Sequence, residues 1–212
     1  MLMRAPEDSG SWFWDLDEVS EPGLEPALAT AARMTGVLSA HGLLEPHALK
    51  WSWFEVGEGG LGIDSVLSLL RRSLTDQQTA DDVRACRPVG HPGAEMTGFV
   101  VAGSGTWFDA EGVGRTEERL VELLVSPDSI GPSAELSVHH DVWGTCDFRG
   151  TPHPAVYARN APRLAAALRE LDALLGVEAE PGEPTYFGVS KAHGLRDAEL
   201  VDGRGPDLTD LM

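Results

Sequence analysis

From Thr97 onward the hydrophobic residues recur at the spacing of β-strands, and this change of period limits the possible folds more than any other feature. Turn residues separate four runs of strand-forming residues, at 99–101, 119–125, 135–143 and 185–189. One helix is predicted between them, with Asn160 as its N-cap and Gly176 at its end. Strands joined by short turns, with clustered rather than alternating helices, predict an α+β fold. We expect a mainly antiparallel sheet with two or three helices packed on one face.

The first 75 residues add two predicted helices and one predicted strand. A helix is predicted over 26–41, where apolar residues recur every three or four positions. A strand rich in aromatic and β-branched residues is predicted over 50–56. A second helix is predicted over 64–74, because its apolar residues share one helical face: Ile63, Val66, Leu67, Leu70 and Leu74.

Two further segments are defined by their composition. Residues 76–95 are polar and contain Pro and Gly, which predicts a long internal loop. Residues 197–212 contain five acidic residues against one arginine, which predicts an acidic mobile tail. Because the segment before residue 76 holds too few elements for a core of its own, we expect a single domain over 1–212.

The charge of the chain excludes several classes of partner. Sixteen Lys and Arg residues against 34 Asp and Glu give a formal net charge of −18. Nucleic acid is disfavoured as a partner, because phosphate contacts need a basic surface, and an anionic membrane surface would repel the chain. We expect no secretory leader, because the N-terminal residues turn acidic without an apolar stretch, and the sequence contains no apolar run near 18 residues. We therefore expect a cytoplasmic protein.

No cofactor is expected from the sequence. Cys86 and Cys146 are sixty residues apart, which gives neither a zinc pair nor a redox motif and predicts two buried or half-buried free thiols. Residues 57–62 match the pattern G-x-G-x-x-G between a predicted strand and a predicted helix. Glu58 would place a carboxylate beside a bound pyrophosphate, and no acidic residue ends a second strand. A flexible turn is therefore preferred to a dinucleotide site.

The predicted strand 135–143 supplies the best candidate for chemistry. Polar and apolar residues alternate along it, so His139 and Asp141 are expected on one face. A histidine and an aspartate two residues apart could bind a metal or act as an acid–base pair. The same alternation is typical of any strand with one solvated face. A small metal-dependent or acid–base enzyme therefore remains the alternative function.

The N-terminal segment supplies the candidate binding residues. Trp12 and Trp14 belong to a short aromatic run, and they are followed by Asp15, Asp17 and Glu18. The tryptophans either lie in the core on one face of a sheet or form part of a partner surface. Exposed aromatic residues beside carboxylates combine the side chains typical of binding hot spots with the charge that attracts a basic protein.

A segment in the last third of the chain suggests a protein class. After the strand ending Asp141-Val142-Trp143, the chain reads Tyr157-Ala158-Arg159-Asn160-Ala161-Pro162-Arg163-Leu164-Ala165-Ala166-Ala167-Leu168. With its acidity and size, the chain resembles actinobacterial immunity proteins of polymorphic-toxin systems. The resemblance implies an acidic α+β domain that neutralises a basic toxin, and it transfers no functional residues. The leading hypothesis is therefore a non-enzymatic protein that occludes a basic protein partner.

Overall fold

The structure is a computed structural model, and it describes residues 2–70, 72–128 and 131–212. Three α-helices lie within these residues: α1 (Leu24–Ala40), α2 (Gln77–Ala85) and α3 (Pro154–Leu175). The strands are β1 (Gly10–Asp15), β2 (Glu45–Glu55), β3 (Gly59–Ser68), β4 (Glu95–Met96), β5 (Phe99–Phe108), β6 (Gly114–Glu118), β7 (Glu122–Ser126), β8 (Ser133–Val138), β9 (Glu180–Pro181), β10 (Ser190–Lys191) and β11 (Gly194–Leu195). No helix in the described ranges is long and apolar enough to cross a membrane.

Nine of these strands form one antiparallel sheet. Its order is β3-β2-β5-β7-β8-β1-β9, with β4 paired to β2 and β6 paired to β5. Helix α1 packs against β2 and β7, and α3 packs against α1 and β5. The predicted α+β class, with a mainly antiparallel sheet, is confirmed.

The two faces of the sheet differ in burial because side chains alternate along each strand. We call the helix-covered side the core face; its largest side chains include Trp12, Trp14, Leu49, Trp51, Trp53, Phe99, Val101, Leu123, Leu136 and Val138. We call the other side the open face. The strand register aligns one row of side chains across it: Phe13, Glu135, Leu124, Val100, Lys50 and Val66.

The first half of the chain contains one correct and one wrong helix prediction. The helix predicted over 26–41 is confirmed as α1, and the strand predicted over 50–56 is part of β2. The helix predicted over 64–74 is wrong, because the chain turns back after Gly57 and pairs with β2 as β3. Gly57 and Gly59 have φ angles of 93° and 83°, which only glycine adopts easily. This turn joins two strands, so the strand–helix context of a dinucleotide fingerprint is absent.

The segment predicted as a long loop, 76–95, contains a helix instead. Helix α2 occupies nine of its residues and buries Thr79, Ala80 and Val83. The buried stripe is short and only two of its residues are apolar, so the polar composition of the segment conceals it. The loop prediction is therefore wrong over 77–85.

In the second half of the chain, three predicted elements differ from those in the structure. Helix α3 begins at Pro154, so Asn160 lies inside the helix and is not its N-cap. Strand β7 begins at Glu122, three residues later than the predicted start at 119. The segment 185–189, which was predicted as a strand, is a loop. A hydrogen bond of 3.0 Å from the Thr185 N–H to the Gly188 carbonyl holds it.

The C-terminal segment predicted as a mobile tail is attached to the rest of the chain. The Gly205 N–H donates to the Gly150 carbonyl at 2.9 Å, and the Leu208 N–H donates to the Phe148 carbonyl at 2.8 Å. Leu208 also packs on a small cluster formed by Ala5, Phe148 and Phe187. The acidic composition did not reveal this apolar anchor, and the mobility of the acidic tail stays a prediction. The assignment of 1–212 to one domain stays a prediction.

Candidate functional site

The two N-terminal tryptophans belong to the core. Trp12 and Trp14 are 0% exposed, because β1 lies between β8 and β9 and turns both indoles toward the core face. The Trp12 Nε1–H donates to the Lys191 carbonyl at 2.9 Å, and the Trp14 Nε1–H donates to Asp172 Oδ1 at 2.8 Å. Both indole N–H groups are therefore hydrogen-bonded inside the protein, and both rings are buried. Their assignment to a partner-binding surface is corrected.

The acidic residues that follow are at the surface. Asp15, Asp17 and Glu18 are exposed, and none of them pairs with a cationic side chain in the part of the chain that the structure describes. Asp15 accepts a hydrogen bond from the Asp17 N–H at 3.0 Å, which holds the backbone just beyond β1. Three carboxylates without a neighbouring cation give this end of the sheet a negative potential.

Two exposed apolar side chains accompany these carboxylates. Phe13 is 39% exposed and Val19 is 51% exposed. Phe13 points to the open face because it alternates with the two buried tryptophans, and Asp15 lies on the same face two residues later. We call Phe13, Asp15, Asp17, Glu18 and Val19 the N-terminal patch. Because side chains alternate along a strand, a buried Trp12 would have indicated that Phe13 is exposed.

Glu135 adds a carboxyl group beside the N-terminal patch. It lies directly opposite Phe13 in the β1–β8 pairing and is half-buried. Burial raises the pKa of the Glu135 carboxyl, and the negative charge of Asp8 raises it further. A basic group docked against Phe13 would offset this loss of solvation and stabilise the charged form.

The segment 139–141 does not form the predicted strand face. Strand β8 ends at Val138, and Asp141 begins a short 3-10 helix, Asp141–Trp143. The N-terminal chain holds this segment, since the Ala5 N–H donates to the His139 carbonyl at 2.8 Å and the Met3 N–H donates to Asp141 Oδ1 at 3.1 Å. His139 and Asp141 are therefore not two neighbours on one strand face, and the predicted pair is corrected.

The titratable groups of this segment are enclosed. Asp141 is 2% exposed and His140 is 1% exposed. Burial raises the pKa of Asp141 to about 6, although the Met3 N–H lowers it, and burial lowers the pKa of His140 to about 4, with the charge of Arg4 acting in the same direction. Asp141 Oδ2 and both His140 ring nitrogens have no hydrogen-bond partner among the described residues and are shielded from solvent.

A cavity of about 290 Å³ lies at this segment, and His140 and Asp141 line it together with Cys146, Phe148 and Phe187 among others. Asp141 Oδ2 and the His140 ring nitrogens are shielded from solvent, so these atoms do not open directly into the cavity. The enclosure of these atoms therefore does not support His140 and Asp141 as an acid–base pair.

The described residues contain one group of side chains that could hold a metal ion, and it does not include His139 or Asp141. Glu55, Glu58 and His91 bring three ligand atoms within 4.8 Å of one another at the β2–β3 turn. His91 Nδ1 lies 2.7 Å from Glu55 Oε2 and 3.8 Å from Glu58 Oε2. Glu55 and His91 are 36 positions apart in the chain, so no local sequence pattern indicates this group.

We expect the purified protein to contain no stoichiometric transition metal. His91 already shares a hydrogen bond with Glu55, and a metal would have to break that bond to use the same atoms. Elemental analysis after dialysis measures the metal content directly. About one equivalent of metal would contradict the expectation. His91→Ala and His139→Ala would then show which histidine binds it.

The two cysteines differ in exposure. Both are free, Cys146 is buried and Cys86 is exposed. Cys86 follows the last residue of α2, and its backbone N–H donates back to the Asp82 and Val83 carbonyls. The prediction of a buried or half-buried thiol is therefore wrong for Cys86. Neither cysteine joins a group of metal-ligating side chains in the described residues.

The segment on which the expected likeness to immunity proteins was based lies in helix α3. Residues 157–168 form the middle of α3, and their buried side chains Asn160, Leu164, Ala167 and Leu168 face the rest of the fold. The likeness therefore rests on residues that support the core and gives no binding residue. No protein-family model, curated protein or solved structure matches this chain.

Proposed function

We propose that the chain is a non-enzymatic acidic binding protein that occludes a basic surface of a protein partner in the cytoplasm, as an immunity protein does with a basic toxin. The observation that supports this proposal most directly is the N-terminal patch. Asp15, Asp17 and Glu18 are exposed and unpaired within the described residues, beside the exposed side chains of Phe13 and Val19.

The patch combines the two contributions that protein association needs. Its carboxylates attract a basic surface over several ångströms and speed association. Phe13 provides apolar contact after docking, which slows dissociation. Phe13 pairs with Glu135 of β8 and Glu180 of β9, and Asp15 pairs with Ser133 of β8, so both residues are held before the partner arrives. A fixed surface loses little conformational entropy on binding.

The enzymatic alternative has weaker support. It requires His139 and Asp141 to act together on a substrate, whereas the Asp141 carboxylate is enclosed and accepts the Met3 N–H. The carboxylate near the His139 ring is that of Glu122, with His139 Nε2 3.9 Å from Glu122 Oε1. We therefore favour binding over catalysis.

Reversing the charge of the patch is expected to slow association. In Asp15→Lys/Asp17→Lys/Glu18→Lys the attraction for a basic partner is replaced by repulsion, so the association rate should fall about tenfold or more at low salt. The difference should shrink as salt rises, since the Debye length is about 10 Å at 0.1 M and about 3 Å at 1 M. The partner is first isolated by affinity capture, identified by mass spectrometry and purified, and the rates are then measured by surface plasmon resonance.

A matched control separates the patch from the overall charge. Glu111→Lys/Glu199→Lys/Asp210→Lys changes the net charge by the same amount at exposed positions away from the patch. Phe13→Ala should act mainly on the dissociation rate, with little change in thermal stability. Equal loss in both triple variants, or full association in the patch variant, would remove the N-terminal patch from the interface. A captured partner that is not basic would contradict the proposed function itself.

A further inference from the structure

The edges of the sheet differ in how well they are protected from pairing with another strand. Natural sheets shield an edge with short strands, proline, or charged side chains. At one end, β9 has two residues and includes Pro181, which has no backbone N–H. The outer strand β6 contains Arg115, Glu117 and Glu118. At the other end of the sheet lies β3, with ten residues.

Strand β3 has little of this protection. Residues 59–70 contain no Lys, Arg or Pro, and Asp64 is their single charged residue. Apolar side chains are exposed along it and just beyond its end: Ile63 is 37%, Val66 is 62% and Leu70 is 75% exposed. A long, apolar and exposed edge strand is a template for the addition of another strand.

The part of β3 suited to such pairing is residues 64–68. They pair with 48–52 of β2 residue by residue, and the register shift lies earlier, around Gly62, whose φ is 65°. On the side away from β2, no strand of the described chain pairs with them. The outward backbone N–H and C=O groups of this regular stretch are therefore available as hydrogen-bond donors and acceptors.

We propose that this edge pairs antiparallel with the same edge of a second copy of the chain, with the two-fold axis at Val66. Val66 then lies opposite Val66 of the other copy, Ser65 opposite Leu67, and Asp64 opposite Ser68. No like charges face each other in this register, so the edge is complementary to itself. The two nine-stranded sheets become one continuous sheet.

The net charge of the chain favours a second copy as the molecule that pairs with the β3 edge. Two chains of net charge −18 repel each other, and their least unfavourable approach is through a stretch with few charged residues. Residues 59–70 form such a stretch, whereas a strongly basic partner would find only Asp64 there. The N-terminal patch on β1 is five strands away, roughly 24 Å at about 4.8 Å per strand, which exceeds the Debye length at 0.1 M salt. This pairing is independent of the proposed function.

Sedimentation velocity of the full chain over a range of protein and salt concentrations tests the pairing. We expect a species of twice the 22.7 kDa monomer mass whose fraction rises with salt, because salt screens the repulsion. Val66→Lys should abolish this species by placing two ammonium groups opposite each other. Val113→Lys, at a valine of similar exposure (53%), should leave it unchanged.

Cysteine cross-linking tests the register. In a Cys86→Ser background, Val66→Cys should form a disulfide-linked dimer under mild oxidation, and Ile63→Cys should not, because residue 63 would face residue 69 of the other copy. If circular dichroism shows that Val66→Lys is unfolded, the cross-linking result still tests the pairing. A monomer at every concentration and salt, a dimer retained in folded Val66→Lys, or equal cross-linking through residues 63 and 66 would overturn the proposal.

Discussion

Trp14→Ala is expected to lower the free energy of unfolding by about 3–5 kcal/mol, the range for removing a large aromatic side chain from a core. Trp14 is 0% exposed, and its indole N–H donates to Asp172 Oδ1 at 2.8 Å. The substitution therefore leaves a cavity and also removes a hydrogen bond between β1 and α3. Denaturation by guanidinium chloride, followed by circular dichroism, gives the change.

Phe13→Ala is the matched control for this substitution. It removes an aromatic side chain from the adjacent position of the same strand, but Phe13 is 39% exposed and faces away from the core. We expect a much smaller loss than for Trp14→Ala. If the two variants were equally stable, Trp14 would not lie in the core and could again be considered for partner binding.

Asn160→Ala is expected to lower the free energy of unfolding by about 2–4 kcal/mol, since an unsatisfied buried backbone group costs about 1–3 kcal/mol. Asn160 is 0% exposed and connects α3 to β5. Its Oδ1 accepts the Phe108 N–H at 2.8 Å, and its Nδ2 donates to the Phe108 and Val156 carbonyls, each at 2.8 Å. Without the amide, both backbone groups of Phe108 lose this partner.

Two variants show which atoms of Asn160 matter. Asn160→Asp keeps an acceptor for the Phe108 N–H but has no amide donor, so it should also be destabilised. Arg169→Ala, at an exposed position of the same helix, should have little effect. Chemical denaturation measures all three variants. A loss for Asn160→Ala below about 1 kcal/mol, well within the range for an N-cap, would mean that the α3–β5 connection contributes little.

The elements that could be predicted from the sequence are those with a local cause. The run of apolar residues at helical spacing gives α1, and the period-two runs after residue 97 give β5 and β8. Strand β3 could not be separated from a helix, because Ile63, Val66, Leu67 and Leu70 fit a helical face. The segment forms a strand because it pairs with β2 across a glycine turn, and this pairing is a tertiary contact that the local sequence does not show.

The residues of the proposed binding surface could be predicted only in part, for the same reason. The exposure of Asp15, Asp17 and Glu18 follows from their charge. The burial of Trp12 depends on β1 being inserted between two strands that come much later in the chain. Asp141 was misplaced because its partner, Met3, is 138 residues away, a distance that no local pattern can reveal.

The insertion of β1 between β8 and β9 has a consequence for how the chain reaches this structure during synthesis. The hydrogen bond from Ser9 to Val138 joins residues 129 positions apart, and β9 follows later still. At 5–20 residues per second, a ribosome needs roughly 6–26 s to make the intervening chain. Throughout that interval, β1 presents Trp12 and Trp14 without their neighbouring strands. The high contact order of this strand therefore leaves nascent β1 exposed and open to aggregation until β8 and β9 have been made.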